Sequence, residues 1–365
     1  MQSQYDVIIL GAGINGLAIA KAMAEEGMKV LVIEKNHIAA GASSHSSRLI
    51  HGGLRYLEHY EFGLVKESLH DQQYLLDHYP DLVQLRSFYL PVYEGSERPL
   101  WLISLGLRLY TFLARHGEKA TRIPIEEFLQ KFRAIKSQGL KRVFRYYDAK
   151  TDDEALTRRV ALEAEELGVD IREGTQLQSL FIEEEKISIE VDAQIHSTQL
   201  LINATGAWVD EVNTKFGLES SYRIEKLSGV HLVINRVLVP DPLILETSSK
   251  RVFFIIPEAD TTLIGTTERS EVNEVDKIKV NNEDIEYLLY ESNRYLNKEL
   301  TRNDIKEVFI GTRPIIKSYK DPSKMSREYK LDLHKIGKNR VLHVYGGKLT
   351  TFASLARKVV RLIKK

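Results

Sequence analysis

The sequence predicts an α/β protein: a Rossmann-like, discontinuous nucleotide-binding domain with a largely antiparallel β-sheet inserted between its parts. Three observations predict it. The chain opens with an apolar run, Val7-Ile8-Ile9-Leu10, followed by Gly11-Ala12-Gly13-Ile14-Asn15-Gly16 and then by helical periodicity. Apolar or alternating segments at 86–93, 228–236, 251–257, 262–267 and 308–315 are linked by polar insertions rather than regular helices, the mark of an antiparallel sheet. Small-residue turns of the kind that approach a cofactor recur at the start, the middle and the end of the chain.

Taken in order, 7–10 reads as a buried parallel strand because it is apolar without alternation. Residues 14–27 read as a helix, with Leu17, Ala20 and Ala24 on one face and Gly27 as its terminator. A second strand spans 29–34, and the Gly- and Ser-rich stretch 41–53 is a backbone-exposed loop. Helices are expected at 61–79 and 153–167, a buried strand at 199–205, and a closing strand and helix at 341–345 and 349–364. The nucleotide-binding domain is thus expected at 1–80, 145–220 and 335–365, and the inserted domain at 81–144 and 221–334.

At about 150 residues per domain, a chain of 365 residues suggests two. With 51 basic and 51 acidic side chains there is no general attraction to nucleic acid, so any anion site must be built locally. The absence of cysteine excludes disulfides and thiol redox chemistry, and no metal site is expected. Redox function therefore requires a bound cofactor. No charged leader precedes a long apolar run, and no stretch reaches the roughly 18–20 apolar residues of a membrane span. The expectation is a cytoplasmic chain.

Gly11, Gly13 and Gly16 form G-x-G-x-x-G between a strand and a helix. The first glycine permits the tight turn, the second lets a pyrophosphate approach backbone N–H groups, and the third lets helix and strand pack closely. Phosphates then sit at a helix N-terminus beside Ile14 and Asn15. Glu34 ends the second strand, where an acid holds ribose hydroxyls and disfavours a 2′-phosphate, with Lys35 beside it. This pattern alone does not separate NAD from FAD. Three further small-residue segments favour FAD, a large cofactor wrapped by loops. They contribute Ser43, Ser44, Ser47, Leu49, His51, Gly52 and Gly53; then Ala204, Thr205 and Gly206; and last Gly347, Lys348, Leu349 and Thr350.

Read together, these segments resemble the FAD-dependent glycerol-3-phosphate dehydrogenases of the D-amino-acid-oxidase-like flavoprotein superfamily. The strongest block is Ser46-Ser47-Arg48-Leu49-Ile50-His51-Gly52-Gly53-Leu54-Arg55-Tyr56-Leu57-Glu58. Others are Asp152-Asp153, Asn203 to Trp208, Ile264-Gly265-Thr266-Thr267, Gly311-Thr312-Arg313-Pro314 and Gly346 to Thr351. The resemblance implies bound FAD and oxidation of sn-glycerol 3-phosphate to dihydroxyacetone phosphate, with electrons passed to a quinone or to oxygen. It also implies a phosphate grip by Arg55, Arg313 and Arg327, helped by Tyr56 and Thr266, since arginine's planar fork suits a phosphate monoester. His231 is implied as the base for the carbinol proton, Arg313 as a further catalytic residue, and Lys348 as a cation beside the flavin. His51 is expected to order the cofactor loop, and His343 to be structural.

Several positions depart from the family. The usual Lys-Gly-Ser-His is Ser228-Gly229-Val230-His231, which is expected to remove a cation and a hydroxyl near the pocket. The usual Ile-Pro-Trp is Ile256-Pro257-Glu258, and the usual Thr-Thr-Asp is Thr266-Thr267-Glu268. The chain reads as a short form without the family's helical C-terminal domain. Two segments suit peripheral contact with the inner face of the cell membrane, the apolar 99–113 and the basic amphipathic 356–365. Two other readings stay open: a related flavoprotein oxidase or dehydrogenase acting on another 2-hydroxy acid or an amine, and a flavin-binding paralogue without turnover.

Overall fold

The computed structural model describes residues 3–54, 57, 61–317 and 329–365. Its helices are α1 (Ile14–Glu25), α2 (Phe62–His78), α3 (Leu100–Leu113), α4 (Ile125–Lys131), α5 (Asp153–Glu166), α6 (Val209–Phe216), α7 (Asn282–Asn293) and α8 (Phe352–Ile363). A six-stranded sheet runs in the order Lys330–Ile336, Asn339–Tyr345, Leu200–Asn203, Val7–Leu10, Val30–Ile33 and Asp170–Arg172. All but the first strand are parallel. Val7 and Ile9 bury one face against α1, α5 and α8, while Ile8 and Leu10 bury the other against a small four-stranded sheet spanning 179–198 with Ser3–Gln4. Coverage on both faces explains why these strands read as continuous apolar runs.

The second large sheet has ten strands and is almost wholly antiparallel. Its centre is Ile224–Ile234, flanked by Thr262–Gly265 on one side and Ile305–Ile316 on the other. The discontinuous Rossmann-like fold with an inserted antiparallel sheet is therefore the fold of this chain. Helices α4, α6 and α7 were not anticipated, and α7 links strands of the inserted domain where no regular helix was expected; nor were two parts of the sheets. The strand Leu140–Thr151 pairs along Val83–Tyr93, but its exposed Lys141, Arg142 and paired tyrosines hide the alternation. The four-stranded sheet is built of short strands, and Phe181 and Ile195 lie exposed on it, which blurs the apolar alternation.

Helix α8 turns Leu355, Ala356, Val359 and Ile363 into the core, so its apolar stripe is spent inside the protein. Helix α3 differs: Trp101 is 67%, Leu105 56% and Phe112 83% exposed, while Leu107 and Tyr110 are buried. Among the described residues no helix is long and apolar enough to cross a membrane.

Candidate active site

The nucleotide cradle forms where Val7–Leu10 turns into α1. Gly11 has φ +101°, and a Cβ on Gly16 would stand 2.0 Å from the Gly11 carbonyl oxygen, so helix and turn touch backbone to backbone. The first turn of α1 carries no acidic side chain, and the Ile14 N–H donates to Ser43 Oγ at 3.0 Å. Glu34 accepts from the N–H groups of Ala12 and Asn36, both at 2.9 Å. Ala204 is tied to the central strand through its N–H to Leu10 O at 2.9 Å, Thr205 donates to Asn203 Oδ1, and Gly206 has φ +57°. A Cβ on Gly347 would lie 2.6 Å from Asn15 Nδ2, so the first and last glycine turns meet. Asn15 Oδ1 is buried without a hydrogen-bond partner among the described residues. An anion-receptive helix end, two converging glycine turns and an orphaned amide oxygen fit a dinucleotide such as FAD.

The loop 41–53 runs from this cradle to the antiparallel sheet. Asp152 caps α5 by accepting from Ala155 N at 2.9 Å, and Asp153 accepts from Ser46 N at 3.0 Å, which anchors the loop. Ser44 bonds back to Ala39 O. Lys35 leaves the cradle: it pairs with Asp276 at 2.8 Å and lies over the Trp208 ring.

Period-two alternation puts Gly229 and His231 on one face of their strand, with Phe309, Gly311 and Arg313 opposite them on the next. A Cβ on Gly229 would be 2.3 Å from Thr266 Oγ1 and 2.9 Å from Arg313 Nη2, and one on Gly265 would be 2.2 Å from the His231 ring. Glycine here leaves room for the Arg313 and His231 side chains. Arg313 Nη2 donates to Thr266 Oγ1 at 3.1 Å. His231 is buried, stacked on Phe309 with centroids 4.9 Å apart, and its Nε2 is 2.9 Å from Ser47 Oγ. Burial, then the charges of Arg313, Arg48 and His45, push its imidazole down to about 3, so the ring is neutral at working pH.

A cavity of about 740 Å³ joins these parts. Ser47, Leu49, His51 and Gly53 form one wall, Gly347, Lys348, Leu349 and Thr350 a second, and Thr266 with Arg313 a third. His231 stands behind the lining, with its Nε2 against Ser47, which is part of it. Gly52 lies just behind the wall. Arg55, Tyr56 and Arg327 lie outside the described residues. Arg251 and Glu268 also line the cavity, and no motif signalled Arg251. The departures sort by strand face. Val230 packs in the core and Ser228 donates to Glu271, so both point away from the cavity, contrary to the expected loss near the pocket. Glu258 instead binds Lys150 at 2.6 Å and Arg48 at 3.5 Å outside it. His343 is buried, pushed down to about 4 by burial, and its Nε2 bonds Glu219 O at 2.9 Å.

The family model described as FAD dependent oxidoreductase matches residues 6–362. The chain belongs to this family. This FAD-dependent oxidoreductase is 34% identical to a glycerol-3-phosphate dehydrogenase of Synechocystis over 98% of its length and 69% of the relative's. It is also 34% identical to the D-erythritol 1-phosphate dehydrogenase of Brucella abortus, over 98% of this chain and 73% of that one. Its fold matches the glycerol-3-phosphate dehydrogenase of Bacillus halodurans, solved with FAD, at a TM-score of 0.77 and 22% identity, covering 99% of this oxidoreductase and 64% of that chain.

Proposed function

We propose that this flavoprotein oxidises sn-glycerol 3-phosphate to dihydroxyacetone phosphate, with electrons passing on to a quinone or to oxygen. The observation that carries the reading is the convergence of Arg313, Ser47 and Lys348 on one cavity beside the glycine turns. FAD, held by the turns at 11–16, 204–206 and 346–350 and the loop 43–53, supplies the hydride acceptor. Arg313, already oriented by Thr266, grips the phosphate, and Arg55 and Arg327 are proposed to complete the grip. Loss of the carbinol hydride requires the hydroxyl proton to leave. Ser47 takes it on the cavity side and passes its own to His231 Nε2, which the 2.9 Å contact allows. A bound phosphate offsets the Arg313 charge that helps hold the imidazole neutral, so the substrate raises the basicity of its own proton acceptor. Lys348 supplies positive charge at the wall opposite.

A four-carbon phosphorylated polyol is the second reading, favoured by the equally similar Brucella relative. Anaerobic mixing of the yellow protein with sn-glycerol 3-phosphate, D-erythritol 1-phosphate or glycerol decides. We expect the flavin band to bleach with glycerol 3-phosphate and to persist with glycerol. Persistence with every phosphate ester removes the proposal.

Peripheral membrane contact is proposed for α3 alone, because its outward apolar side chains sit beside the exposed Arg108 and Arg115. Co-sedimentation with anionic vesicles is expected to drop at least fivefold in Trp101→Ser/Phe112→Ser, by the loss of buried apolar area. Equal binding of variant and parent refutes it.

A further inference from the structure

Asp148 is a fully buried carboxyl that the chemistry above leaves unused. It lies in the strand Leu140–Thr151 and, with Tyr146, forms part of the cavity wall. Its Oδ1 accepts from Tyr110 Oη at 3.0 Å, from Gln72 Nε2 at 2.5 Å and from Gly52 N at 3.3 Å. The same Tyr110 oxygen accepts from Gly52 N at 2.8 Å, and the same Gln72 amide donates to Ile50 O at 2.7 Å. Side chains from α2, α3 and the sheet thus hold both edges of one short backbone segment. There is no slack: a Cβ on Gly52 would stand 2.3 Å from Leu69 Cδ2 and 2.5 Å from Tyr110 Oη. The next contact outward is Thr350 Oγ1, which donates to His51 O at 3.4 Å and belongs to the last glycine turn. Among the described residues the groups facing Asp148 are Tyr110, Gln72, the N–H groups of Gly52 and Ala149, and the Tyr146 ring, none of them a cation.

We infer that Asp148 is a positioning residue, holding the Ile50–Gly53 backbone through Tyr110 and Gln72 in the register that FAD requires. The inference rests on the cavity being the flavin site, but not on the identity of the substrate. The three donors that converge on Oδ1 favour the ionised carboxyl, and burial, the larger effect, opposes them. Ionised, it is a buried anion faced by no cation among the described residues, and the three neutral donors only partly offset the cost of burial. Burial raises the carboxyl from 3.8 to about 7. The folded chain therefore holds a proton that the unfolded chain has released between those values, and stability falls as pH rises through that window. FAD brings two phosphates and further desolvation, so its affinity also falls as pH rises through about 7.

The test is the FAD dissociation constant of the full chain, read by flavin fluorescence between pH 5.5 and 8.5 with no substrate present. Wild type is expected to weaken as pH rises through about 7. Asp148→Asn keeps the acceptor oxygen and is expected to bind tightly with a flat profile, and its melting temperature loses the downward slope of the wild type over the same range. Tyr110→Phe keeps the ring, strips Gly52 N–H of its near partner, and is expected to bind FAD about tenfold more weakly at every pH. An Asp148→Asn profile that keeps the step, or Tyr110→Phe affinity within twofold of wild type, overturns the inference. Because no substrate enters, failure here is distinct from failure to bleach with glycerol 3-phosphate.

Discussion

Gly16→Val is expected to give a protein that purifies colourless and does not take up FAD when the cofactor is supplied. A Cβ at this position meets the carbonyl oxygen of Gly11 at 2.0 Å and its carbon at 3.2 Å, with the Ala204 methyl close behind. Every one of these atoms belongs to backbone or to a core-facing methyl, so the added carbon has nowhere to rotate. The helix must move off the strand, and that displaces the N–H groups offered to the pyrophosphate. Overpacking of this kind costs about 1–3 kcal/mol in stability, which a chain of this size tolerates, whereas the anion cradle does not tolerate the shift. The ratio of flavin to protein absorbance after reconstitution measures it: near zero is expected, and a ratio equal to wild type means that the cofactor does not sit on this turn.

Arg313→Ala is expected to leave the protein yellow and to cut kcat/KM for glycerol 3-phosphate by roughly 10²–10³-fold. Truncating one partner of a desolvated, hydrogen-bonded charge pair costs about 3–4 kcal/mol, which corresponds to that factor. The side chain sits on the sheet, at the cavity wall formed with Thr266, away from the nucleotide cradle, so FAD content is unaffected. Arg313→Lys is expected to recover only part of the rate, because a point charge does not reproduce the planar fork. Rates for Arg313→Ala within threefold of wild type assign the phosphate to other cations.

Much of this was legible in the sequence because it depends on local chemistry. The continuous apolar run at Val7–Leu10, the glycines that follow and the acid at the end of the second strand each announce a parallel strand, a turn and a helix without knowledge of distant residues. The resemblance carried His231, Arg313 and Lys348 together, but only the sheet register shows that Val230 and Ser228 face away while Gly229 and His231 face the loop. The consequence of the altered Ser-Gly-Val-His segment was therefore misread for a physical reason: strand parity is not visible until the pairing partners are known. Asp148 went unnoticed for a similar reason. Its partners Gln72 and Tyr110 come from two helices far away in sequence, and nothing in Tyr147-Asp148-Ala149 marks the carboxyl as buried. Ser47 was counted among the cofactor contacts, and its hydrogen bond to His231, across 184 positions, gives it a second role no motif spacing encodes.

A crystal structure of the FAD-loaded protein with glycerol 3-phosphate, or an unreactive analogue, bound anaerobically tests the central claim most directly. The account predicts the phosphate within hydrogen-bond distance of Arg313 and the carbinol hydroxyl against Ser47 Oγ, with the flavin ring between the 51–53 and 346–350 segments. A phosphate held by other cations and out of hydrogen-bond reach of Arg313 contradicts it.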